Sequence, residues 1–482
     1  MRYTEIAIAK PFEGAPKINL ADVYGASPKK DIILRVPVTG QRPITYGAAN
    51  LPTGLTLENG IITGQIECEG NYTVTLTAEN DLGKAEKILT FEVKRDTVQL
   101  TPLMGFTSWN AYGFQVTQAD IEHAASRMLE LGLCEYGYDH VNIDSGWQGK
   151  YGGKHDAIMP NEKFPDMKGF TNKMHANGLK CGIYSTPMLR AFGCHYLSPD
   201  VPPGCTVGEP DELFSDFRTG IGKDRREKNN AEQWAEWGFD YLKYDWKPCD
   251  PYNAEMMRRE LVKTDRDFGY CVTILARAEY HNYWEKYCSS YRCNGDTNGR
   301  WDRHLEVYKS YFEFMDYVNK GHFFDLDMMD TGDCTLFTKM GFDKEIGFGL
   351  TEDEQLTAYS MRAFLNSPIQ VSTTFENISE FELSMYCNEE IIAINQDSAF
   401  KTARPCMMLE DGQKMIHVFK KKLSDGADAY AFFNLGETKE SVKLYLDEES
   451  TIRDVWAKKD LPDADKIEIT MHPHTVRIFK VK

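Results

Sequence analysis

The 482-residue chain is longer than one hydrophobic core usually organises, which predicts two or three domains. Its 42% hydrophobic and 27% charged residues match a soluble globular protein, and the 12% aromatic share is generous but decides nothing alone. Asp and Glu outnumber Lys and Arg by 73 to 55, and no basic stripe offsets the net charge of -18, so nucleic acid and anionic membrane are excluded as expected partners.

The first residues lack a basic stretch followed by a long apolar one, so no signal peptide is visible. As it stands the sequence predicts a cytoplasmic protein, or a secreted or periplasmic one if a leader has been removed. Residues 1–98 read as β. Tyr72, Val74, Leu76 and Ala78 alternate with threonines, which puts one face on a core and one in water. Upstream, Leu51-Pro-Thr-Gly-Leu-Thr-Leu57 with Asn59-Gly60 and Gly64 resembles a signature of immunoglobulin-like bacterial modules, implying a small sandwich. Spacing or buttressing of the next domain is its expected role, with a binding role as the alternative.

From residue 99 to 398 the pattern becomes strand-then-helix, eight times over. Strands are expected over 104–109, 138–144, 179–185, 239–245, 270–275, 291–296, 322–328 and 369–374. Amphipathic runs lie between them, such as 121–131 with Gly132 at its end. The helix before the last strand opens with Thr351-Glu-Asp-Glu354, a capping-box pattern. Eight such units predict an α/β fold, a (β/α)8 TIM barrel. A doubly wound open sheet is the alternative, but no G-x-G-x-x-G follows the first strand. Residues 399–482 turn β again, with alternating runs at 415–419, 429–433, 442–446 and 476–481. These predict a C-terminal antiparallel β-sandwich. No run of about 18 apolar residues occurs anywhere, so no membrane span is expected. The 12 Cys show no regular spacing; Cys194 and Cys205 bracket one loop and could pair, but free thiols are the expectation.

In a β/α barrel the site lies at the C-terminal ends of the strands, where this chain places Asp144, Asp245, Asp296, Asp325 and Asp327. One such Asp is often only the cap of the next helix; acids converging from four strand ends are harder to explain that way. Lys243 and Asp245 are two apart on one strand, so both face the lumen. A Lys there favours the ionised carboxylate that a nucleophile needs, although an interior salt bridge would look the same. Arg292 and Asp296, followed by Trp301, form a second group in which Asp296 could exchange a proton with a glycosidic oxygen. Two carboxylates roughly 5 Å apart give retention through a covalent intermediate, and wider spacing gives inversion. His322, Asp325 and Asp327 with Asp144 offer a rival metal site, against which stands the absence of a second His at ligand spacing.

These residues carry a resemblance. Thr101-Pro-Leu-Met-Gly-Phe-Thr-Ser-Trp-Asn110 resembles TPPMGWNSWN, the opening of glycoside hydrolase family 27, which comprises α-galactosidases, α-N-acetylgalactosaminidases and β-L-arabinopyranosidases. Asn142-Ile-Asp-Ser-Gly-Trp147 is similar to its NIDDGW, and the run from Leu179 through Tyr184 to Ser185 to its LKxGIYS. Asp240-Tyr-Leu-Lys-Tyr-Asp245 resembles DYLKYD, Arg292 to Trp301 has the family's acid/base spacing, and residues 321–328 resemble GHWNDPDM. Ile394-Asn-Gln-Asp397 resembles VNQD. The likeness runs from Thr101 to Asp397 with the motifs in family order.

The resemblance implies a retaining exo-glycosidase for terminal α-galactosides, with Asp245 as nucleophile and Asp296 as acid/base. It implies substrate contacts from Trp109, Asp144, Ser145, Tyr184, Lys243, Thr273, Arg292 and Asp327, and no metal or cofactor. Ser145 stands where the family keeps a second acid, and Thr273 where galactosidases offer a Glu. These departures keep α-N-acetylgalactosaminidase and β-L-arabinopyranosidase open as alternatives. A catalytically silent sugar-binding barrel is the reading from another class, and oligomerisation stays open.

Overall fold

The computed structural model describes residues 2–188, 207–210, 221–329, 331–332 and 349–482. Cys194 and Cys205 lie outside them. The nine described cysteines are free.

In the N-terminal region a four-stranded sheet (Val23–Ala26, Gly83–Val93, Gly70–Asn80, Thr45–Ala49) faces a three-stranded one (Ile32–Arg35, Ile61–Gly64, Leu55–Glu58). The alternation around Tyr72 holds: Val74, Leu76 and Ala78 are buried and their neighbours are not. Asn59 and Gly60 both take positive φ, 48° and 78°, the turn that joins strands two residues apart.

Eight parallel strands follow, at Met104–Thr107, His140–Asn142, Lys180–Ser185, Tyr241–Asp245, Gly269–Thr273, Ser290–Tyr291, Phe323–Phe324 and Ile369–Val371. Each of the first six pairs in parallel with the next, and the eighth returns to the first. A parallel bridge between Met329 and Val371 closes the ring between the seventh and eighth. This is a (β/α)8 barrel. Six of the strands end earlier than expected, because residues at the C-terminal rim leave the ladder to build loops; the third and fourth run to Ser185 and Asp245 as expected. The Thr351 capping box is present, and the helix Gln118–Glu130 buries Ile121, Ala124, Ala125 and Met128 before Gly132 ends the run with a φ of 81°.

The C-terminal region is a six-stranded antiparallel sheet. It holds the four expected runs and two further strands, Arg404–Asp411 and Lys459–Met471. It docks on the helix Glu352–Phe364: Trp456 Nε1 donates to Ser360 Oγ at 3.1 Å and Thr357 Oγ1 to the His474 carbonyl at 2.7 Å. The N-terminal sandwich packs on the side where the strands begin. There the Ser27 N–H donates to Asp267 at 2.7 Å, just ahead of the fifth strand, and Lys180 at the start of the third lies over the Tyr24 ring. Glu135, buried, accepts from Arg35 at 2.7 Å and pairs with Arg42 at 3.1 Å. The C-terminal ends of the strands therefore face away from this domain.

Candidate active site

Two polar groups meet at the C-terminal rim. The first centres on Asp144, just past the second strand. Its N–H donates to Ser108 Oγ at 2.9 Å, while its Oδ1 accepts from the Ser145 N–H at 2.7 Å and its Oδ2 from Lys243 Nζ at 2.8 Å. Burial works against the Lys243 ammonium, but Asp144 and Asp245 outweigh it and hold the side chain charged, above the usual lysine range. Two residues along the same strand, Asp245 accepts from Tyr184 Oη at 2.9 Å through Oδ2. Tyr184 is held in turn by Trp147 Nε1, which donates to its carbonyl at 2.9 Å. Burial pushes the Asp245 carboxyl up to about 7, against the pull of Lys243 and Arg292; the charges of Asp296 and Asp144 add to the rise. Thr273 pairs with Asp245 in register on the fifth strand, and its buried hydroxyl has no hydrogen-bond partner among the described residues.

The second group centres on Arg292, just past the sixth strand. One Nη donates to Asp296 at 2.7 Å and the other is paired tightly with Asp327. The Asp296 side chain is 44% exposed, whereas Arg292 and Asp327 are buried. Asp327 spends its other oxygen on Thr297, accepting from the N–H at 2.8 Å and from Oγ1 at 3.2 Å. Burial would raise the Asp327 carboxyl, but Arg292 and then Lys243 outweigh it and bring it to about 2. Trp109 is half-buried at the head of the short helix that follows the first strand.

The structure thus gathers Asp144, Ser145, Tyr184, Lys243, Asp245, Thr273, Arg292, Asp296 and Asp327 at one end of the barrel. It does not gather the rival metal set. His322 precedes the seventh strand and meets the Cys288 carbonyl at 2.7 Å, whereas Asp325 and Asp327 follow that strand.

Comparison with known proteins agrees with this fold. A family model described as α-galactosidase A matches residues 220–397, and one described as the α-galactosidase C-terminal β-sandwich domain matches 413–481. The chain is similar to the α-galactosidases of glycoside hydrolase family 27. An Ig-domain model matches residues 22–95 of this hydrolase. α-Galactosidase A of Cellvibrio japonicus is 28% identical over 358 residues, 71% of this chain and 78% of that protein. A candidate α-galactosidase from Bacteroides fragilis superimposes with a TM-score of 0.84 at 26% identity, over 99% of both chains. The family-27 β-L-arabinopyranosidase of Geobacillus stearothermophilus shares the fold, with a TM-score of 0.68 at 22% identity over 80% of this chain and 96% of that one.

Some residues that shape the hydrolase's site escaped sequence reasoning. Ser108 and Thr297 tie Asp144 and Asp327 in place; both lie inside the motifs quoted above, but neither was singled out for a role. Arg362 is fully buried in the helix Glu352–Phe364 and reaches the seventh strand's rim. A cation amid the apolar run Met361 to Leu365 was the available signal.

Proposed function

We propose that this glycoside hydrolase removes terminal α-galactosyl groups with retention, Asp245 attacking and Asp296 exchanging the proton. The supporting observation is the contrast between the two carboxyls. Asp245 is buried among Lys243, Tyr184 and Arg292, while Asp296 stands half-exposed beside it, where a leaving group can reach it. In the first step an Asp245 oxygen bonds to the anomeric carbon as the glycosidic C–O bond breaks, and Asp296 gives its proton to the departing oxygen. In the second, water attacks the anomeric carbon, Asp296 takes a proton from it, and the ester to Asp245 breaks. Tyr184 fixes the plane of the Asp245 carboxylate. The Asp144–Lys243 pair offers a charged acceptor and donor to neighbouring sugar hydroxyls, and Arg292 faces the 2-position. No step in this scheme uses a metal or cofactor.

A second reading has its own support. Ser145, buried beside Asp144, is a hydroxyl where family members carry an acid, so its grip on a 6-hydroxyl is weaker than the ~1.5–3 kcal/mol of a charged partner. A β-L-arabinopyranoside, which lacks that arm, would then be accepted too. The test is kcat/KM on nitrophenyl α-galactoside, α-N-acetylgalactosaminide and β-L-arabinopyranoside, repeated with Ser145→Asp. The galactoside is expected to lead, and Ser145→Asp to widen its margin over the arabinopyranoside. An unchanged margin refutes this account of the 6-position, and no turnover of any of the three refutes the proposed function.

A further inference from the structure

The seventh strand is the weakest part of the rim by its hydrogen-bond pattern. It pairs with the sixth at only two positions, Ser290 with Phe323 and Tyr291 with Phe324, and meets the eighth through Met329. Between these points lies Leu326–Met328, the stretch that carries Asp327. Its backbone groups are buried and need partners from outside the ladder. Asp327 also sits at a φ of 70°, a left-handed conformation that a side-chain-bearing residue holds only when its surroundings fix it.

Arg362 supplies those partners. From the helix Glu352–Phe364, with 1% of its surface exposed, it donates Nε to the Asp327 carbonyl at 2.8 Å. Its Nη2 donates to the Leu326 carbonyl at 2.8 Å and the Met328 carbonyl at 3.0 Å. Nη1 returns to the Ala358 carbonyl of its own helix at 2.9 Å, which aims the guanidinium. One planar, permanently charged group thus grips three consecutive carbonyls, a geometry the single point of a lysine ammonium cannot reproduce. The residue it fixes, Asp327, holds Thr297 next to Asp296 and the same Arg292 that holds Asp296.

We infer that Arg362 is a positioning residue for proton transfer: it fixes the backbone turn at Asp327 and, through Arg292 and Thr297, the place of Asp296. It touches no substrate. This rests on Asp296 being the acid/base. Loosening the turn leaves Asp245 and its partners on the fourth strand in place but lets the proton donor wander. The loss therefore falls on leaving groups that need protonation and spares those that do not.

The experiment compares Arg362→Met and Arg362→Lys with wild type on an alkyl α-galactoside and on the 2,4-dinitrophenyl α-galactoside. Rates are divided by the concentration of active sites titrated with a fluorinated inactivator. Arg362→Met is expected to lose about 100-fold in kcat/KM on the alkyl glycoside and under about tenfold on the dinitrophenyl one. Arg362→Lys should show the same bias to a lesser degree, and it decides the matter if Arg362→Met does not fold. Asp327→Asn, alone and combined with Arg362→Lys, completes the set, and their effects should be less than additive because one acts through the other. Equal losses on both substrates per titrated site, or full additivity with Asp327→Asn, would overturn the inference. Asp296→Ala run alongside separates the two claims. If it shows no leaving-group bias, the acid/base assignment fails and the inference with it; if it shows the bias and the Arg362 variants do not, the inference alone fails.

Discussion

At Asp245, burial and charge pull in opposite directions. The protein takes a carboxyl out of water and then surrounds it with Lys243, Arg292 and the Tyr184 hydroxyl, so that it ionises near neutrality, at about 7. Attack needs the carboxylate, so on an activated aryl galactoside, whose leaving group needs no proton from Asp296, kcat/KM should fall as pH drops through that value, a limb read from a pH–rate profile. The same shift has a cost in stability, with the opposite sign. A carboxyl whose folded-state value is raised above the unfolded ~3.9 stabilises the fold at low pH and loses that contribution as pH rises through about 7. Asp245→Asn should therefore abolish turnover yet melt higher than wild type above pH 7. The gain should vanish below about pH 4, where both side chains are neutral. A melting temperature raised equally at all pH values would mean that the buried charge is not its source. Lys243 and Asp245 were legible in the sequence as a lumen-facing pair because a strand's period of two is local. The grip of Asp327 on Thr297 and Arg292 was not, since it depends on contacts across 30 and 35 residues.

Among the elements, the eight barrel strands were legible because each is an apolar run followed by a helical one. Their short ladders were not, since pairing depends on where a neighbour ends: the sixth and seventh keep two residues each. In the C-terminal sheet, Lys459–Met471 was missed because it carries four acids and Pro462 with little alternation. It is an edge strand, where such residues are tolerated. Arg404–Asp411, the other edge, was missed for the same reason. The helix Glu352–Phe364 was readable from its capping box, in which Thr351 Oγ1 accepts from the Glu354 N–H and Glu354 Oε2 from the Thr351 N–H at 2.8 Å. Thr351→Ala should lower the stability of this helix by about 1 kcal/mol. That would appear as a lower denaturation midpoint with an unchanged slope. Because the helix carries Arg362, the same variant should also slow hydrolysis of poor leaving groups; a midpoint equal to wild type would show that the cap contributes nothing.

Across the whole molecule the two β domains grip the barrel from different sides, the C-terminal sheet on the helix before the last strand and the N-terminal sandwich where the strands begin. Of the three roles open to the N-terminal sandwich in the sequence, the observed contacts favour buttressing. Glu135 is the deepest of them, satisfied by Arg35, Arg42 and the Val38 N–H. Glu135→Ala takes this acceptor from two guanidiniums and an N–H and should cost about 3 kcal/mol. The readouts are a fall in melting temperature and faster proteolysis within residues 1–98. Turnover by the remaining folded fraction should be normal, because this junction lies at the far end of the barrel from Asp245. A variant that melts like wild type would show the junction to be loose. The central claim, a covalent route through Asp245, is tested most directly by inactivating the enzyme with a 2-deoxy-2-fluoro galactosyl donor and sequencing the labelled peptide by mass spectrometry. The account predicts one glycosylated residue, Asp245, and a label on any other carboxylate would contradict it.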